Sequence, residues 1–225
     1  KSIERCAFME CCELKSIKIP NSVTSIGASA FEDCDGLTKV TMGSGVKTIG
    51  EDAFEDCDTI TNVYISNLAA WCKIEFSDSL SNPLNAGAKL FVNNAQLTSF
   101  VTPKGITKIN NFAFFGCKGL TSVNISGSVN TVGERAFKNC TDLKNITLSK
   151  KIDELGKEVF FGCEKIGSVT IKRIIKDGFI KGDYNAFSDI TYSRATLYVN
   201  PAERTLYYYD IDWGWGRFKR VVNKQ

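Results

Sequence analysis

The sequence predicts an α/β solenoid: a right-handed β-α superhelix of stacked repeats, with parallel strands on one face and a C-terminal cap. Three observations carry this. A 23-residue pattern recurs along most of the chain. Within each copy, the apolar period switches from two to a helical spacing. The last copy then dissolves into an aromatic-rich end, as terminal repeats do when they close a stack.

The recurrence has many columns in register. Leu14, Leu37 and Ile60 are spaced by 23, as are Leu97, Leu120, Leu143 and Ile166. Phe8, Phe31 and Phe54 keep the same step, as do Phe114, Phe137 and Phe160. So do Cys11, Cys34 and Cys57, and then Cys117, Cys140 and Cys163. In LTKVTM, Val40 and Met42 alternate with Lys39 and Thr41, which reads as a strand with one buried face. In IGASAFEDC, residues 26–34, apolar residues fall at i, i+4, i+5 and i+8, which predicts a turn or two of helix. Gly27, Gly50, Gly133 and Gly156, with Asn110 in the remaining copy, mark a position of positive φ or of close packing. One such unit cannot bury its own apolar edge, so stacking joins the columns into a shared core.

The period lies in the leucine-rich repeat range. The stretch LKSIKIPNSVTSIGASAFEDC, Leu14 to Cys34, closely resembles the BspA-like leucine-rich repeats of bacterial surface proteins. The resemblance runs from Ile3 to about residue 171. The Ile19-Pro20 pair becomes Thr102-Pro103 in one copy and loses its proline in others, a local variation at a strand end.

The reading expects a single solenoid domain over residues 1–225, with an enlarged repeat at 61–96 and a degenerate last repeat and cap from about 172 to 225. Ile60 to Leu97 spans 37 residues, 14 more than the period. Leu68, Trp71 and Cys72 have helical spacing, Lys73 to Phe76 alternates, Lys89 to Val92 reads as a strand, and Asn93-Asn94 as a hairpin turn. Trp71 and Phe76 are expected to fill an enlarged core, the alternative being a partner-binding protrusion. At the C-terminal end, Thr196 to Pro201 reads as a strand and Ala202 to Tyr209 as a short helix. Tyr207, Tyr208, Tyr209, Trp213 and Trp215 form either a lid or an exposed aromatic platform, and the lid is preferred. Lys1-Ser2-Ile3 enters mid-pattern, so further repeats are expected before it.

Composition narrows the chemistry. A net charge of +3 does not by itself imply nucleic acid, and none is expected as partner. No apolar run is long enough to span a bilayer, so no direct membrane insertion is expected. The chain has no histidine, which removes the commonest general base and imidazole metal ligands. No catalytic, cofactor-binding or metal-binding residue is assigned, and no cofactor is expected. The nine cysteines contain no CxxC pair, and the six column members are expected to be buried, reduced and hydrophobic in character. Cys6 with Cys11 or Cys12 is the one bridge worth testing. The EDCD turns at Glu32–Asp35 and Glu55–Asp58 could gather calcium, the ordinary alternative being a solvated edge. Three triplets, at Asn124, Asn139 and Asn145, match the short glycosylation pattern.

What remains is a surface. Outward strand positions form two columns: Ser16, Lys39, Asn62, Ser99, Ser122, Asn145 and Ser168, and beside them Lys18, Thr41, Tyr64, Val101, Asn124, Thr147 and Thr170. Such columns are either an extended binding face or an ordinary hydrated sheet. The candidate binding residues are Lys18, Lys39, Thr41, Asn62, Tyr64, Val101, Asn124, Asn145 and Thr147, with Tyr64 and Val101 foremost. The repeat physics predicts non-enzymatic binding through a large surface. The resemblance implies an extracellular or cell-surface adhesion module that engages protein or glycan on a host or neighbouring cell. Two rivals stay open: a stalk displaying another domain, and a carbohydrate-binding module using the C-terminal aromatics.

Overall fold

A computed structural model describes residues 1–172, 180–183, 185–201 and 214–223. The chain divides into two compact units, Lys1–Leu97 with Asn110–Lys118, and Thr98–Ile109 with Gly119–Gln225.

In the first unit, strands Ser16–Lys18, Lys39–Met42, Asn62–Ile65 and Lys89–Val92 pair in parallel, in that order. The short strand Ala95–Gln96 then folds back antiparallel on Lys89–Val92. A second parallel sheet of two-residue strands, Ser2–Ile3, Ser25–Ile26, Thr48–Ile49 and Glu75–Phe76, forms another side of the coils. The second unit repeats the plan. Strands Ser99–Val101, Ser122–Ile125, Asn145–Leu148, Ser168–Ile171, Thr196–Val199 and Arg220–Asn223 form one parallel sheet. Lys108–Ile109, Thr131–Val132 and Glu154–Leu155 form another. Each unit is therefore a parallel-strand β-solenoid.

The remaining side corrects the expectation of helix. Residues 28–33 and their counterparts are runs of turns. Positive φ recurs every four residues: Ser29 and Asp33, Asp52 and Asp56, Arg135 and Asn139. An αL residue costs a non-glycine side chain roughly 1–2 kcal/mol and stops a helix from propagating. The freed N–H groups are used between coils. Ser29, Phe31 and Asp33 donate to the carbonyls of Glu51, Ala53 and Glu55, and Arg135, Phe137 and Asn139 donate to Lys157, Val159 and Phe161. The intervening residues close i→i−3 turns, as Glu32 does to Ser29 and Cys34 to Phe31. The inward spacing was that of a helix, but the backbone is a stitched stack of turns. Among the described residues α-helix is confined to Leu68–Trp71 and Asp189–Arg194. The architecture is thus β-solenoid rather than β-α superhelix.

The cores follow the columns. Phe31, Phe54, Phe137 and Phe160 are fully buried. Their rings stack at 5.2 and 5.1 Å from Phe8 through Phe31 to Phe54, and at 5.5 and 5.3 Å from Phe137 through Phe160 to Phe187. The glycine column serves close packing: a Cβ added at Gly50 would stand 2.5 Å from the Ala28 backbone nitrogen. In the enlarged repeat, Trp71 and Phe76 lie in the core, ring edge to face at 5.5 Å, and the Trp71 indole donates to the Ala113 carbonyl at 2.7 Å. The protrusion alternative is therefore excluded for these two rings.

The expected C-terminal cap takes another form in the described residues. Thr196–Val199 and Arg220–Asn223 extend the parallel sheet by two strands instead of covering it. Trp215 is 2% exposed and packs with Phe187 and Phe218, so it belongs to no exposed platform. The helix expected over Ala202 to Tyr209, and Trp213, lie outside the described residues.

Candidate functional site

The outward strand positions of the first unit form one surface. Register places Ser16, Lys39, Asn62 and Lys89 in one column, and Lys18, Thr41, Tyr64 and Phe91 in the next. Lys18, Lys39 and Lys89 are exposed, and Thr41, Asn62, Tyr64 and Phe91 half-buried. The Tyr64 and Phe91 rings stack at 4.8 Å, and the Lys39 ammonium lies 4.7 Å from the Tyr64 centroid on top of the pair. At an exposed site such a cation–π contact contributes about 0.5–1 kcal/mol. Where these strands end, an open groove of about 500 Å³ is lined by Lys18, Pro20, Asn21, Thr41, Tyr64 and Asn94.

The second unit has a different face. Val101, Asn124 and Thr147 share a column, and Ser99, Ser122, Asn145 and Ser168 another. Two pairs of its polar groups bond between coils: the Ser122 hydroxyl donates to Ser99, and the Ser168 hydroxyl to the Asn145 amide oxygen, both at 2.7 Å, whereas the Asn124 amide oxygen is buried with no hydrogen-bond partner among the described residues. Val101 is 53% exposed. The nine candidate residues therefore fall into two groups. Lys18, Lys39, Thr41, Asn62 and Tyr64 belong to the first unit's face, and Val101, Asn124, Asn145 and Thr147 to the second's. Tyr64 and Val101 are not column neighbours as the alignment of repeats across the insertion suggests, because Phe91 takes the place beside Tyr64.

A sequence model described as the BspA type leucine rich repeat region matches residues 1–82 and 85–200, in six copies. The chain belongs to this family. A leucine-rich repeat protein from Eubacterium ventriosum shares the fold at 16% identity and a TM-score of 0.52, over 89% of this chain and 63% of that one. A Treponema pallidum leucine rich repeat protein is 21% identical with a TM-score of 0.39, over 76% and 65% of the two chains. A leucine rich cell surface protein from Faecalibacterium prausnitzii is 18% identical with a TM-score of 0.45, over 100% and 83%. The chain thus spans less than two thirds of the length of the first two. No curated protein matches significantly.

In this BspA-type chain the column cysteines have a structural part. The thiols of Cys34, Cys57 and Cys163 donate to the carbonyls of Phe8, Phe31 and Phe137 in the preceding coil, at 3.1, 2.9 and 3.1 Å. Burial pushes the Cys57 and Cys117 thiols up to about 12, which keeps them protonated donors. A serine would be costlier to bury at this position, and an alanine would remove the bond between coils, leaving the carbonyl with only the N–H three residues on in its own turn.

The turn sides of the two units differ in charge. In the first, Glu32, Asp33, Glu55 and Asp56 crowd together. Partial desolvation first, and then neighbouring carboxylates, hold Asp33, Asp52 and Glu55 above the usual carboxylate range. Among the described residues, the acids whose oxygens come within 4.8 Å of one another are Glu51, Asp52 and Asp78, not the EDCD sets considered for calcium. Asp78 already accepts from the Ser81 and Asp52 N–H groups, at 2.6 and 3.3 Å. In the second unit the same side is charge-paired. Glu158 accepts from Arg135 at 2.7 Å and from Lys138 at 2.6 Å.

Proposed function

We propose that this chain is a non-enzymatic binding module of a bacterial cell-surface or secreted protein, engaging macromolecules on host or neighbouring cells. The observation that carries it is the first unit's strand face, where Lys39, Tyr64 and Phe91 stand outward as one stacked cluster beside an open groove. Family membership supports the surface setting, and the hydroxyl bonds between neighbouring coils of the second unit favour a display role for that unit. Burial of Trp215 argues against sugar binding by that residue, while Tyr207, Tyr208, Tyr209 and Trp213 lie outside the described residues. The cluster of Phe187, Tyr192, Trp215 and Phe218 supports a closing role for this end of the second unit.

Capture of matrix proteins and arrayed glycans tests the reading. Tyr64→Ala is expected to weaken capture about tenfold, since truncating an interface aromatic costs more than 1 kcal/mol where it matters. Val101→Ala is the comparison in the second unit. Equal binding by wild type and Tyr64→Ala, or no captured partner, would contradict the proposal and leave the stalk.

A further inference from the structure

The first unit segregates its charge. None of the strands SIK, KVTM, NVYI, KLFV and AQ carries an Asp or Glu. Three exposed lysines, Lys18, Lys39 and Lys89, project from them, and no ion pair among the described residues involves any of the three. Lys118 adds a fourth cation in register with Lys89. The unit's carboxylates gather instead on its turn side. The second unit's face shows no such excess: its strands SFV, SVNI, NITL, SVTI and TLYV are uncharged, and RVVN carries the single cation Arg220.

Spacing and chemistry narrow the partner. Lys39 and Lys89 flank Asn62 in one column, so their backbones stand about 10 Å apart, two strand spacings. Lys18 lies diagonal to Lys39, about 7–8 Å away. Between the ammonium groups lie hydroxyls of Ser16, Thr41 and Tyr64, the Asn62 amide and two ring edges. This set suits a chain that alternates anionic groups with many hydroxyls. A peptide adding as a strand would lie along an end of the sheet, at Ser16–Lys18 or beyond Ala95–Gln96, and would not span the three lysines, which project from different strands.

We infer that the first unit's strand face binds a linear anionic polysaccharide, one bearing carboxylate or sulfate groups, lying across the strands over Lys18, Lys39 and Lys89. This rests on the strand-face reading above and specifies its partner. Complementary charge on an otherwise hydrated face gives both attraction and a strong salt dependence.

Immobilised heparin, sulfated and uronate-bearing, is the probe. Wild-type protein binds it at physiological salt. The triple variant Lys18→Ala/Lys39→Ala/Lys89→Ala binds at least about tenfold more weakly, the sum expected of three exposed charge contacts. The matching Lys→Arg triple retains binding. Lys144→Ala/Lys150→Ala/Lys151→Ala changes net charge equally in the second unit and shifts affinity less than about twofold. Soluble polyglutamate fails to compete. Equal loss in both alanine triples would reduce the effect to net charge and overturn the assignment. Competition by polyglutamate as effective as by heparin would replace the polysaccharide with an acidic peptide. Absence of heparin binding alongside Tyr64-dependent capture of another partner would sink this inference alone; absence of both would sink the strand-face reading too.

Discussion

Phe137→Ala is expected to lower the unfolding free energy by about 3–5 kcal/mol, the range for truncating a buried phenylalanine. Phe137 has no exposed surface, stacks on Phe160 at 5.5 Å and meets Phe100 edge to face at 5.7 Å. Its neighbours cannot collapse into the void, because their backbones are fixed by bonds between coils. The Phe137 N–H donates to Val159, and its carbonyl accepts the Cys163 thiol at 3.1 Å. The loss is therefore transfer energy plus an unfilled cavity, with little relief. In a stack of repeats it also weakens both neighbouring interfaces, so hydrogen exchange should rise over residues 123–169 before the unit melts. Phe161→Ala, one residue after Phe160, 38% exposed and with the Lys138 ammonium 5.1 Å from its ring centroid, should cost no more than about 1 kcal/mol. Denaturant unfolding of the two variants makes the comparison.

The second large effect depends on pH. Hydrogen bonds from Arg135 and then Lys138 hold the Glu158 carboxyl at about 2, against its usual 4.5. A folded-state value below the unfolded one means that the ionised carboxylate stabilises the fold. That contribution is complete above pH 4.5 and fades as pH falls towards 2. The Glu158 side chain is 17% exposed, so screening reduces the gain to about 1–2 kcal/mol at neutral pH. Glu158→Gln should be less stable than wild type by this amount at pH 7, with the two curves converging near pH 2. A constant gap between them across that range would contradict the charge-pair origin.

Much of the fold is legible in the sequence because the columns that repeat are the ones that point inward. Leu37, Phe54, Cys57 and Ile146 sit where the 23-residue register puts them, with no exposure above a few per cent. The turn side was misread because apolar spacing reports which side chains face the core and is silent on φ. The missed signal is a second column: Asp33, Asp56, Gly116, Asn139 and Gly162, all with positive φ and nearly all residue types that tolerate it. Phe91 was missed for another reason. It stands 27 residues after Tyr64, inside the insertion, whereas aligning the columns on Ile60 and Leu97 carries Tyr64 across 37 residues to Val101. The candidate surface was therefore legible in its polar members Lys18, Lys39 and Asn62. Its aromatic pairing and charge segregation needed the register.

The central claim is that the repeating side chains face inward within each unit, so that the column cysteines from Cys34 onward are buried thiols while Cys11, in the first coil, is half-buried. Alkylating the native protein at neutral pH, then mapping modified cysteines by mass spectrometry, tests it most directly. Cys6 and Cys12, both exposed, should react, while Cys34, Cys57, Cys117, Cys140 and Cys163 should label only after denaturation. Column cysteines that label natively as fast as Cys6 and Cys12, or that stay blocked after denaturation, would contradict it.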